Sequence, residues 1–192
     1  MTVLEDRIEM ADSDDMSALD RLFERLSVPE GYRAEIVEGA VYMVPQRSIH
    51  WLIIRRIVRA LDERFGMDAM VFSDVRIDFP GGLNGFCPDV AKLRDGAEQN
   101  SANHWLYQDV EFVAEVISKG TAANDYGPKK TAYATAEVPV FLVVDPYVGK
   151  CHVYTQPKDG EYVTETTVSF GGDVDLTTTL GLTLKTDEFP RD

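Results

Sequence analysis

Val110-Glu111-Phe112-Val113-Ala114-Glu115-Val116-Ile117 is a mostly apolar run with two acids, Glu111 near its start and Glu115 set deep inside it. A short apolar run of this kind predicts a strand, and its weight of apolar side chains predicts a central one. Downstream, residues 121–135 predict a helix and residues 138–145 a second buried strand. Pro146-Tyr147-Val148-Gly149 turns the chain into strands over 150–156, 161–170 and 174–176. Upstream, residues 87–93 read as a short strand and residues 95–108 as a polar loop. Residues 70–79 alternate Val71, Ser73, Val75, Ile77, Phe79 as one strand does, and Pro80-Gly81-Gly82 and Asn84-Gly85 read as turns.

Further toward the N-terminus, Ile54, Ile57, Val58, Leu61 and Phe65 form an apolar stripe at helical spacing, with Arg55, Arg56, Arg59 and Arg64 largely off it. This predicts a helix over 46–65. Residues 32–44 predict a hairpin turning at Glu38-Gly39, and Met16, Leu19, Leu22, Phe23 and Leu26 predict an amphipathic helix over 14–27 that Val28-Pro29-Glu30-Gly31 ends. The order of elements gives a mixed α/β or α+β domain with one central sheet. All 192 residues read as a single domain: an acidic N-terminal part (1–30), a core (31–156) and acidic C-terminal strands (157–192).

Net charge is −14, and it is uneven: nine acids and three bases lie in residues 1–30, eight acids and three bases in residues 157–192. The body between them is nearly neutral. Such a charge opposes simple coating of nucleic acid, which depends on basic patches. An enzyme whose carboxylates hold a divalent metal remains compatible with it. No apolar run reaches the ~20 residues of a membrane span. Residues 1–9 carry no signal-peptide core, so a cytoplasmic location is expected. Cys87 and Cys151 stand far apart with no CxxC, which argues against a structural zinc site. No nucleophile elbow is visible, and the stretch 81–85 lacks the Lys-Ser/Thr of a phosphate-cradling loop.

Three acids stand where packing alone would not put them: Glu115, Asp89 after Pro88, and Glu35 beside Ile36-Val37. Burying an ionised carboxylate is costly unless it is paired or bound to a metal. Asp125, Lys129 and Tyr133 follow at intervals of four and so share one helical face. Blander readings stand beside these. Asp89 could cap a turn, Glu115 could face solvent at a sheet edge, and Asp125 could be a helix N-terminal acid. Lys129 and Lys130 could be solvated, Tyr133 could be core, and His50 could cap or pack. The arginines of the 46–65 helix could be a solvated face or a phosphate-contacting strip.

Tyr32-Arg33-Ala34-Glu35-Ile36-Val37-Glu38-Gly39, His50, Pro88-Asp89-Val90, Glu115-Val116-Ile117-Ser118, Asp125-xxx-Lys129-xxx-Tyr133 and Leu142-Val143-Val144-Asp145-Pro146 occur in that order. In this order and spacing the chain resembles the Uma2 (DUF820) family of restriction-endonuclease-like proteins, in the PD-(D/E)xK nuclease superfamily. The resemblance covers roughly residues 30–150. It implies a restriction-endonuclease-like core, a central mixed β-sheet flanked by helices. It implies Asp89 and Glu115 as ligands of Mg²⁺ or Mn²⁺, with Glu35 as a further acid near the metal. The superfamily's usual lysine position is Ile117 here. The resemblance therefore points to Lys129 on the following helix, with Lys130 as a substitute and His50 lining the cleft. The implied activity is metal-dependent hydrolysis of nucleic-acid phosphodiester bonds, DNA first among them. The alternative is a non-catalytic binding or assembly module, such as a homodimer, whose arginine strip meets an acidic surface.

Overall fold

The computed structural model describes residues 18–45 and 47–192. Residues 18–25 are helical (α1); residues 14–17 and Gln46, included in two of the predicted helices, lie outside the described residues. The hairpin β1 (Tyr32–Val37) and β2 (Ala40–Pro45) leads to the long helix α2 (Ser48–Phe65). Then come β3 (Val71–Phe72), β4 (Ile77–Phe79), β5 (Asn84–Phe86), β6 (Val90–Leu93) and β7 (Trp105–Leu106). A 3-10 turn (Tyr107–Asp109) feeds β8 (Val110–Val116). Helices α3 (Ala122–Tyr126) and α4 (Pro128–Thr135) cross to β9 (Val140–Asp145). The chain finishes with β10 (Lys150–Lys158), β11 (Glu161–Ser169), β12 (Asp173–Leu176) and β13 (Leu182–Lys185).

The principal sheet has the order β11-β10-β9-β8-β6-β3. β8 and β9 run parallel and their neighbours antiparallel, so the sheet is mixed. Parallel neighbours need a crossover, and α3 and α4 supply it. A second sheet, β2-β1-β5-β4-β7, and the ribbon β12-β13 replace the single sheet expected from the sequence. Fold class is as read: mixed α and β around a central mixed sheet.

Strand alternation divides the core in two. Phe112, Ala114 and Val116 of β8 and Val140, Leu142 and Val144 of β9 face Ile53, Ile54, Ile57 and Leu61 of α2. Val113, Phe141 and Val143 face the other way, toward Ala132 and Tyr133 of α4 and Ile77, Phe79 and Phe86 of the second sheet. Both faces of β8 are therefore covered, which is why its sequence is apolar almost throughout. Glu115 has the parity of Val113 and so points at α4.

The departures from the sequence reading have local causes. The alternating run over 70–79 is cut into β3, which pairs with β6, and β4, which joins the second sheet. The cut falls at Asp74, whose φ is 57° and whose N–H donates to the Pro88 carbonyl at 3.0 Å. Asn84-Gly85 is strand, not turn; the reversal lies just before it, at Gly81 and Leu83 with φ 96° and 59°. Gly85 is required by packing, since a Cβ there would lie 2.6 Å from the Phe23 ring. The helix over 121–135 breaks at Gly127, because a residue before proline is driven out of the helical region. Loop 95–108 contains β7, and β13 was not foreseen. The C-terminal ribbon and the segment after it pack Val174, Leu182 and Phe189 into the α2 side of the core.

Leu61 is 2% exposed in that core, whereas Val163 on β11 is 64% exposed. Leu61→Ala is expected to cost about 2–5 kcal/mol in urea unfolding, by lost transfer energy plus a residual cavity. Val163→Ala should stay within about 0.5 kcal/mol of the parent.

Candidate functional site

The antiparallel register of β6 and β8 sets Val90 against Ala114, which carries Asp89 alongside Glu115. The two acids are then tied by backbone. Asp89 N–H donates to Glu115 Oε2 at 3.3 Å, and Asp89 Oδ2 accepts from Val116 N–H at 2.6 Å. Glu115 Oε1 accepts from the Tyr133 hydroxyl at 2.7 Å and lies 2.6 Å from Lys129 Nζ. The same ammonium lies 3.1 Å from Glu35 Oε1 and 3.2 Å from Asp125 Oδ1. Glu35, on β1, also accepts from Cys87 N–H at 3.0 Å. Lys129 and Tyr133 are one turn apart on α4, on the face that meets β8.

Four acids separated in sequence thus converge on Lys129 and on Arg33. Arg33 Nη1 bonds Asp89 Oδ1 at 2.5 Å and also pairs with Asp74. Exposure decides the energetics here: Glu115 and Lys129 are 1% exposed, Asp89 2%, Glu35 3% and Asp125 5%. None is a solvated surface charge. If all six groups carry their ordinary charges, four buried carboxylates face two cations, an excess of two negative charges. Burial pushes the carboxyls of Glu115 and Asp125 up from their ordinary range, and Lys129 pulls them down only in part. Burial alone would lower the Lys129 ammonium; Glu115, Glu35 and Asp125 outweigh it and hold the pKa well above the usual value. Lys129 is therefore a fixed cation, and Tyr133, raised by burial and by Glu115, stays a phenol that donates.

The donor set suits a hard divalent cation. It consists of carboxylate oxygens, it carries an excess of negative charge, and each carboxylate offers about four acceptor positions, of which the contacts above use a part. A cavity of about 240 Å³ reaches Asp89; Arg33, Arg47, His50, Trp51 and Asp74 also line it.

The structure brings together Glu35, Asp89, Glu115 and Lys129 of the residues singled out from sequence. His50 is buried on the wall of the adjoining cavity, and burial lowers its imidazole from the usual pKa. Lys130 is not brought in: its ammonium lies 4.8 Å over the Tyr154 ring. The arginine strip is partly committed to the chain itself, Arg56 to Glu188 at 3.4 Å and Arg59 to Glu63 at 2.8 Å. Sequence reading missed Arg33 and treated Asp125 and Tyr133 blandly. Arg33 had a signal, since i and i+2 on a strand share a face and Glu35 lies two residues on.

Among the described residues a different trio, Asp20, Asp78 and His104, has donor atoms within 4.8 Å of one another. The Arg76 guanidinium already bridges it, 2.9 Å from Asp20 and 2.7 Å from Asp78. One of its two acid charges is thus offset by the chain itself.

A family model described as "Uma2: Putative restriction endonuclease" matches residues 20–187. The chain belongs to the Uma2 family. Its fold is similar to the crystal structure, at 1.96 Å resolution, of a "putative nuclease belonging to DUF820" from Anabaena variabilis ATCC 29413. The TM-score is 0.67 at 16% identity, over 89% of this chain and 96% of that one. No curated protein matches significantly. The Uma2 family carries a restriction-endonuclease description, and the structural likeness shows a shared fold; no helix of the described residues is long and apolar enough to cross a membrane.

The raised carboxyls give a pH signature. A carboxyl with a folded pKa above its unfolded value favours the folded state while protonated, and that advantage is lost as pH rises from about the unfolded value through the folded one. For Glu115 that window opens near its ordinary 4.5 and extends upward. In EDTA, the melting temperature should fall as pH rises above this point. Mn²⁺ should restore more of it at pH 8 than at pH 5, as scanning fluorimetry at both pH values would show.

Proposed function

We propose that this Uma2 protein is a divalent-metal-dependent endonuclease that hydrolyses phosphodiester bonds of DNA. The observation that carries the reading is the buried surplus of carboxylates around Asp89 and Glu115. Structural ion pairs need equal charges, whereas a site for a doubly charged cation needs this imbalance. Asp89 and Glu115 would hold Mg²⁺ or Mn²⁺. When bound, such an ion supplies a Lewis acid for a phosphoryl oxygen and a lowered pKa for water.

The remaining residues have distinct tasks. Lys129 keeps its proton, so it is not a general base. It draws Glu115, Glu35 and Asp125 together and lets three acids stand in one dry space. Tyr133 fixes one Glu115 oxygen, and the Asp89 backbone N–H fixes the other. Arg33 bonds Asp89 and lines the cavity beside it, where a guanidinium can meet a phosphate and offset charge developing on it. No serine or cysteine nucleophile is required. The Cys87 thiol, which lies near Glu35, is pushed up to about 12 by burial, so it is held as the unreactive thiol.

The test is cleavage of plasmid and single-stranded DNA with Mn²⁺ or Mg²⁺. Asp89→Ala and Glu115→Gln should each lose about 10²-fold or more, the loss typical of removing one group that stabilises transition-state charge. Lys130→Ala, away from the cluster, should match the parent. Equal activity in the parent, Asp89→Ala and Glu115→Gln would remove these residues from the mechanism.

A further inference from the structure

Two buried polar atoms beside the carboxylate cluster have no hydrogen-bond partner: Arg33 Nε and His50 Nε2. Both residues line the same cavity of about 240 Å³, far more than the about 30 Å³ of one water. A buried donor or acceptor left unpaired is costly, so two around one space point to something that completes them. His50 is itself 6% exposed, so its ring is a built part of the wall.

The rest of the wall sets two cations, Arg33 and Arg47, against two acids, Asp74 and Asp89, and a phosphate would be met on the side of the cations. The cavity lies at the start of α2, where the first helical N–H groups have no partners within the helix. The Arg47 side chain makes no cap hydrogen bond at that end, and the first turn holds no acid. The Arg47 side chain lines the cavity instead, half-exposed, with Asp192 at 3.6 Å. Trp51 also lines the cavity and is 55% exposed, so part of its ring is open to solvent. At the far end Asp89 marks the carboxylate cluster.

We propose that this cavity is a subsite for one unpaired nucleotide of the substrate strand, its phosphate against Arg33, Arg47, His50 and the first turn of α2, its base against the Trp51 ring. The inference rests on the nuclease reading of the adjoining cluster and narrows it: the strand presented to Asp89 is single-stranded, frayed or splayed rather than an intact duplex. Stacking on an aromatic ring is tolerant of base identity, so the subsite selects strand state and not sequence.

The test separates binding from cleavage. Anisotropy of a short fluorescein-labelled single-stranded oligodeoxynucleotide, and of the blunt duplex made from it, is measured at low salt with Ca²⁺ replacing Mg²⁺ or Mn²⁺. The single strand should bind more tightly than the duplex. Trp51→Ala should weaken single-strand binding about tenfold, and Arg47→Ala should lower the salt slope by about one phosphate contact. Both side chains are at least half-exposed or nearly so, so neither change threatens the core. Arg59→Ala, exposed on the same helix and remote from the cavity, should bind as the parent does. Unchanged single-strand binding in Trp51→Ala and Arg47→Ala, or a preference for duplex, would overturn the subsite. Mn²⁺-dependent cleavage with an unaltered KM in both variants would overturn it too, while leaving the nuclease reading intact. The expected binding pattern with no cleavage under any divalent metal would uphold the subsite and sink the nuclease reading.

Discussion

Four buried carboxylates, the buried Lys129 and the partly exposed Arg33 stand together beside a cavity, and the surplus of negative charge among them constrains the rest of the molecule. At an effective dielectric of about 20, unit charges about 4 Å apart interact by about 4 kcal/mol. A folded domain keeps only about 5–15 kcal/mol in total. Lys129 is therefore not an optional contact: without it, Glu35, Glu115 and Asp125 would repel one another inside the core. Even with Lys129 and Arg33 in place the balance does not close. The chain can close it by retaining protons on Glu115 and Asp125, or by admitting a doubly charged ion.

The fold delivers these groups by ordinary means. The pairing of β6 with β8 fixes Asp89 and Glu115 side by side, and strand parity turns Glu115 away from α2 and toward α4. The parallel β8–β9 pair needs a crossover, so α4 must pass over that face. The break at Gly127-Pro128 lets α4 start afresh with Lys129 in its first turn, while Asp125 on α3 remains within 3.2 Å of it. The β1–β2 hairpin supplies Glu35 and Arg33 from a second sheet. The cluster thus sits where two sheets and a crossover helix meet, with the start of α2 forming the neighbouring cavity.

Much of this was legible in the sequence. Glu115 stood out because an acid inside an apolar strand has few bland explanations, and helical spacing put Lys129 and Tyr133 on one face; Asp125 lies on α3, across the Gly127 break, and meets Lys129 from there. Helix α2 was readable from its period, and β8 and β9 from apolar runs of the length of a buried strand. β4, β5 and β7 were not, since two or three residues carry no period, and their pairing is decided by distant partners. Asn84-Gly85 read as a turn by composition, yet close approach of Phe23 is what demands the glycine. Arg33 was within reach through its two-residue spacing from Glu35. The cavity was not, because it joins the end of β2, the start of α2 and Asp89, which only the fold brings together.

The central claim is that the carboxylate surplus is a divalent-cation site. Its most direct test is calorimetric titration of Mn²⁺ into the metal-free protein near neutral pH, repeated in buffers of different ionisation enthalpy. The account expects one saturable site, binding coupled to proton release, and loss of that heat in folded Glu115→Gln. A titration with no saturable heat, or with the same heat in Glu115→Gln as in the parent, would contradict it.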